Sequence, residues 1–289
     1  MPAAMQPMLR RQYTTALDSH HSWSLHALAL SASASASASE AFVSVRPYAA
    51  DLSSAAVSAL MCAPLISGID RAITTNASGV KPFWPALRES TLAILTQPRA
   101  VIRGAPFRWL ALVYGATYGA ANLADTYSRR NLLDNAKVAV LASSTTANTA
   151  ATIAKDRAFA QLFGASAPRP VPMPTYGIWG GRDLLTMAFA FTVPPLASDA
   201  MQDRLGVSPK TANVVATLAV PCVAQLVAAP LHLLGLNLYN EPTASLAQRL
   251  ATVRSQALTT ILAKSMRVFA AFSLAGLVNK ELRVRWSGP

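Results

Sequence analysis

Residues 211–240 read TANVVATLAVPCVAQLVAAPLHLLGLNLYN, thirty positions without one charged side chain. About 20 apolar residues are enough to cross the hydrocarbon core of a bilayer, so this stretch predicts a transmembrane helix. The rest of the chain has the composition to accompany it. Hydrophobic residues make up 52% of the 289 positions and charged ones 13%, where a soluble domain carries about 25%. Too few charges remain to coat a water-facing surface, so the chain reads as an integral membrane protein. The net charge of +12 could suit nucleic acid or a lipid surface. The basic residues lie between apolar runs with no aromatic interleaving, which favours the bilayer as partner and argues against nucleic acid.

Cutting the sequence at its charged residues gives five further windows: Leu52–Ile69, Trp109–Ala124, Val138–Ala154, Leu184–Ser198 and Val268–Asn279. Several are short for a span, but each can be extended past a flanking Lys or Arg whose long stem reaches the interface. The connections alternate. Asp70–Arg108, Lys155–Asp183 and Glu241–Arg267 are 39, 29 and 27 residues long, while Asp125–Lys137 and Asp199–Lys210 are 13 and 12. The three long ones hold six, four and four basic residues, which predicts that they share one face of the membrane by the positive-inside tendency. Residues 51–285 thus read as an all-α transmembrane domain. Its six helices form three helix–loop–helix repeats, at about 51–130, 131–200 and 205–285.

Residues 1–50 differ from the remainder. Arg10 and Arg11 come early, Asp18 and Glu40 are the only acids, and Ser31–Ser39 alternates strictly between Ser and Ala. A basic, Ser-rich, acid-poor leader resembles a mitochondrial targeting segment; a tail with no address is the plain alternative. The leader predicts a mitochondrial membrane, the inner in preference to the outer.

Each second helix opens with an arginine, in Phe107-Arg108-Trp109, Gly181-Arg182-Asp183 and Met266-Arg267-Val268. Arg108, Arg182 and Arg267 are read either as interfacial anchors or as residues lining a cavity for a small anionic solute, since charge inside a membrane is costly and marks function. Pro64 and Pro230 fall late in the first and third odd helices, where proline kinks the backbone. His232 lies beside Pro230, and Lys155, Asp156 and Arg157 are expected to end the third helix at the interface as a structural ion-pair group. Ser143, Ser144, Thr145, Thr146, Asn148, Thr149 and Thr152 make the third helix polar enough to need helices or water beside it. Gly115 and Gly119 have the spacing for close helix approach. Cys62 and Cys222 read as buried thiols. No phosphate loop, nucleophile elbow, catalytic triad or metal spacing is present, so no catalytic residue, metal or cofactor is expected, and an enzyme is not the reading.

Six helices, three repeats, basic long connections and late prolines in odd helices look like the mitochondrial carrier family. The resemblance covers about residues 50–285. Phe107-Arg108-Trp109, Tyr114-Gly115-Ala116-Thr117-Tyr118, Lys155-Asp156-Arg157-Ala158-Phe159-Ala160, Pro230-Leu231-His232-Leu233-Leu234-Gly235-Leu236 and Asn279-Lys280-Glu281-Leu282-Arg283 are similar to a divergent fungal group within it. The resemblance implies transport of a small metabolite. It also implies a ring of charges after the odd-helix prolines, which this sequence lacks: Ile66 and Ile69 follow Pro64, His232 and Gly235 follow Pro230, and only Asp156 holds an acidic position. Without that ring, a non-transporting structural or adaptor protein of the same fold is the second reading.

Overall fold

The computed structural model describes residues 45–165 and 167–287. Most of the leader therefore lies outside the described residues. The chain divides into two compact units, Met1–Ala49 and Ala50–Pro289, and the account below concerns the second.

Helix α1 runs from Val45 to Ala77. The short helices α2 (Phe83–Thr96) and α3 (Pro98–Arg103) lead into α4 (Ala105–Arg130). Helix α5 (Ala136–Phe163) follows, then α6 (Met173–Met187), which passes through a wider π turn at Ala188–Thr192 into α7 (Val193–Leu205). Helix α8 spans Pro209–Asn240. Helix α9 (Leu246–Phe269) continues through a second π turn, Ala270–Ala275, into α10 (Gly276–Ser287). No strand occurs among the described residues.

The ends of these helices have local causes. Gly206 takes a left-handed φ of 64° and stops α7, a conformation open to glycine at little cost. The Ser208 hydroxyl then accepts the Thr211 amide and starts α8, with Pro209 as first residue. Ser245 and Gln248 cap each other's backbone amides at the start of α9.

The segments read as long loops are largely helical. Helix α1 continues past Asp70 to Ala77, α5 past Arg157 to Phe163, and α9 starts at Leu246. The cut at charged residues misplaced these ends because the charges lie inside helices. Arg182 sits within α6 and Arg267 in the last turn of α9, so neither opens its helix. Among the described residues, three helices are long and apolar enough to cross a membrane: Val45–Ala77, Met173–Leu205 and Pro209–Asn240. Helices α4 and α5 are less apolar, with Ser, Thr, Asn and Tyr along much of their length.

Helix α1 runs antiparallel to α4. Asn122 reaches Asp51 at one end, and a side chain added at Gly119 or Gly115 would meet Leu52 or Ala59 at ordinary contact distance. It also runs antiparallel to α9–α10, for Arg283 pairs with Asp51 and Arg267 with Asp70. An apolar core of Ala59, Cys62, Ala63, Ile66, Phe107, Leu110, Tyr114, Phe159, Ala271 and Ala275 joins these helices. The Tyr118 hydroxyl donates to the Ala271 carbonyl at 2.8 Å, supplying a partner where the π turn has shifted the backbone ladder.

A second core gathers α6 and α8 around Trp179, which is fully buried beside Leu233, Leu236 and Tyr239. A β-carbon at Gly235 would strike the Trp179 indole. Gly235→Ala is therefore expected to destabilise the protein by about 1–3 kcal/mol through overpacking. Gly177→Ala, with open space at the same atom, is expected to stabilise it slightly through helix propensity. Thermal unfolding of the two variants, compared with the parent in detergent, checks the contrast.

Candidate functional site

Burial of Asp70 on α1 sets the first condition of the site. Only 5% of this residue is exposed, and an isolated carboxylate there would be costly. Lys155 from α5 reaches Asp70 Oδ2 at 2.7 Å, and Arg267 Nε from α9 lies 3.1 Å from Oδ1. Lys155 Nζ also lies 2.5 Å from Asp156 Oδ1, and Arg182 Nη2 from α6 donates to Asp156 Oδ2 at 2.6 Å. Arg182 further holds Asp183 Oδ1 at 2.9 Å. Four long helices are thus tied by one chain of ion pairs.

His232 on α8 joins the same chain. Arg182 Nη1 lies 3.0 Å from its Nδ1. Guanidinium can only donate, so Nδ1 accepts, and the ring is the neutral tautomer with its proton on Nε2. The Arg267 guanidinium lies over the Tyr114 ring at 5.8 Å.

Beside this network lies a small polar cavity of about 40 Å³. Tyr114 comes from α4, Asn148 and Thr152 from α5, Arg182, Asp183 and Thr186 from α6, Gln225 from α8, and Lys264 and Arg267 from α9. Asn148 is oriented by the Thr117 hydroxyl, which donates to its Oδ1 at 3.2 Å. Two polar atoms of the lining residues are buried without a hydrogen bond: Asp183 Oδ2 and Arg267 Nε. Among the described residues, no three His, Cys, Asp or Glu side chains are grouped to hold a metal.

A second polar layer lies toward the other end of the bundle. Arg283 donates to Asp51 at 2.6 Å, to Asp125 at 2.7 Å and to the Thr126 hydroxyl at 2.8 Å. Asn122 and Asn279 exchange two amide hydrogen bonds of 3.0 Å. Asp51 and Asp70 are separated by 19 helical residues, or roughly 28 Å.

The structure brings Arg182, Arg267, Lys155, Asp156 and His232 together, with Asn148 and Thr152 at the cavity beside them, and leaves Arg108 and Pro64 elsewhere. Arg108 is exposed, because the inward stripe of α4 is Phe107, Leu110, Val113, Tyr114 and Thr117, one residue out of phase with it. Pro64 borders a separate cavity of about 250 Å³ between α1 and helices α2 to α4. Neither Pro64 nor Pro230 ends its helix. Lys155 and Asp156 are buried within α5, which runs on to Phe163, so they do not end the helix, and both form ion pairs as expected; Arg157 alone of the three is exposed. No ring of charges follows Pro64 or Pro230; a buried network is present at other positions, built from Asp70, Lys155, Asp156, Arg182, Asp183 and Arg267. Asp183, Lys264 and Gln225 were not singled out for the cavity. Gln225 was detectable as the one amide amid the apolar first two-thirds of α8 after Asn213.

Asp156→Ala would leave Lys155 and Arg182 buried without their shared carboxylate. Breaking a buried pair costs about 3–5 kcal/mol, so a large fall in thermal stability is expected. Arg108→Ala, on the exposed side of α4, is expected to stay within about 0.5 kcal/mol of the parent. Unfolding midpoints of both variants in the same detergent make the comparison.

Residues 54–287 match the family described as "Probable citrulline exporter". This corrects the resemblance to the mitochondrial carrier family: the match is to a different family and covers most of the chain, whereas the earlier likeness rested on short segments and on a helix count. No curated protein matches the chain. The chain belongs to the family of probable citrulline exporters.

Proposed function

We propose that the protein moves citrulline, or an amino acid of closely similar shape and polarity, out across a membrane through the bundle formed by its six long helices. The observation that carries this reading is the polar cavity where five of those helices converge. Citrulline has an uncharged side chain ending in a ureido group, which both donates and accepts hydrogen bonds. Asn148 and Gln225 offer neutral amides of matching character, with the Thr152 hydroxyl beside them. Helices α4, α5 and α9–α10 complete the membrane-crossing bundle in this reading, since their buried charges face inward, leaving apolar residues such as Leu112, Leu258 and Phe269 on the outside.

At about 40 Å³ the cavity has room for a few waters and none for an amino acid, so transport requires the helices around it to part. The protein acts on its solute by binding and release and catalyses no reaction. The basic, acid-poor leader supports a mitochondrial membrane as the place of export.

Purified full-length protein in sealed liposomes tests this directly. Labelled citrulline is expected to cross in a saturable way, and Asn148→Leu combined with Gln225→Leu is expected to lower the rate at least tenfold. Failure of a folded preparation to move citrulline in either direction would overturn the reading. For location, a fluorescent fusion lacking residues 1–44 is expected to lose mitochondrial residence; unchanged residence would remove the leader's assigned role.

A further inference from the structure

The cavity is lined by one carboxylate with an oxygen that lacks a hydrogen bond, and the basic side chains gathered there outnumber the carboxylates. Asp183 is 5% exposed. Its Oδ1 is held by Arg182 at 2.9 Å, while Oδ2 is buried with no hydrogen bond. A buried acceptor left unpaired is costly, and this one belongs to a residue that lines the cavity. The charged groups gathered here are Lys155, Arg182, Lys264 and Arg267 against Asp70, Asp156 and Asp183, with His232 neutral by its bond from Arg182. The basic side chains therefore outnumber the carboxylates by one. Lys155 and Arg182 are committed to carboxylates on both sides. Lys264 borders the cavity among Arg182, Arg267, Asp70 and Asp156 and shares no ion pair with them, and Arg267 Nε, 3.1 Å from Asp70 Oδ1, is paired there by charge without a hydrogen bond.

We propose that Asp183 binds the α-ammonium group of the solute while Lys264 and Arg267 take its α-carboxylate, so that the cavity selects zwitterionic α-amino acids with uncharged side chains. The assignment rests on the export reading above and names the groups of that same site. A monocarboxylate would satisfy the surplus basic group and leave Asp183 Oδ2 unpaired. A simple amine would satisfy Asp183 and leave the surplus basic group. Only a molecule carrying both charges close together meets both needs, and the neutral amides of Asn148 and Gln225 leave no counter-charge for an ionised side chain.

The test uses the full chain in detergent and reads ligand affinity from the shift in unfolding midpoint. The probes are citrulline, glutamine, N-acetylcitrulline, which lacks the ammonium, and citrulline amide, which lacks the carboxylate. For the parent protein, each of the two derivatives is expected to bind at least tenfold more weakly than citrulline. Asp183→Asn is expected to bind citrulline and N-acetylcitrulline about equally, while still preferring citrulline to its amide. Equal binding of citrulline and N-acetylcitrulline by the parent, or unchanged citrulline affinity in Asp183→Asn, would overturn the ammonium site and leave the export reading standing. Binding of glutamine but not citrulline by the parent, with the same dependence on Asp183, would uphold the ammonium site and overturn the citrulline reading. Should Asp183→Asn fail to fold, the parent's ranking of the two citrulline derivatives decides.

Discussion

A carboxylate buried among helices in an apolar setting must find its counter-charge within the protein, and Asp70 does so by drawing Lys155 and Arg267 onto α1. Everything at the centre of the bundle follows from that demand. Lys155 cannot serve Asp70 without lying close to Asp156, Asp156 needs a second cation and takes Arg182, and Arg182 in turn reaches His232 and Asp183. Asp70, Lys155, Asp156, Arg182 and Arg267 each take a partner from another helix, so the relative placement of α1, α5, α6 and α9 is fixed by charge as well as by packing, with α8 joined through His232. Such networks seldom add net stability over a well-packed apolar core. Their retention here fits a site that must hold a polar solute.

The apolar layer around Cys62, Ile66, Phe107 and Leu110 lies along α1 between the central network and the Asp51–Arg283–Asp125 layer. Two polar layers separated by an apolar one give the bundle distinct ends. The π turns at Ala188–Thr192 and Ala270–Ala275 follow soon after Arg182 and Arg267 in the two helices that bring those arginines to the cavity. A π turn widens the helix and changes the phase of the residues beyond it. In α9–α10, side chains on either side of the turn can thus face the cavity, as Arg267 does, and the outer polar layer, as Asn279 and Arg283 do, without one continuous stripe of charge.

Helix content, membrane embedding and the helices built on Leu52–Ile69 and Thr211–Asn240 were legible from composition and run length. Helix ends were not, because a charged residue was taken as a boundary. Lys155 and Asp156 show why this misleads: adjacent in sequence, they read as an interfacial pair, yet both are buried by partners 85 and 26 residues away. Arg182 and Arg267 could be singled out as costly in a membrane, but so could Arg108, which the phase of α4 turns outward. The likeness to mitochondrial carriers failed for a related reason. Helix pairs, late prolines and basic connections describe how a chain threads a bilayer, and unrelated chains can share them, whereas the family match extends through the side chains that fill the bundle.

The sequence by itself determined that this chain is helical and membrane-bound, since thirty uncharged residues in a row and a shortage of charges across 289 positions leave water few polar groups to solvate. Only the tertiary structure decided which charges meet at the cavity. Pairing depends on distances between helices far apart in sequence, and the same arginine is an exposed ornament or the keystone of a cavity according to a rotation of about 100° per residue around its helix. Asp183 is the clearest case: beside Arg182 it reads as half of a local pair, and the fold leaves its second oxygen buried and unbonded at the edge of a cavity.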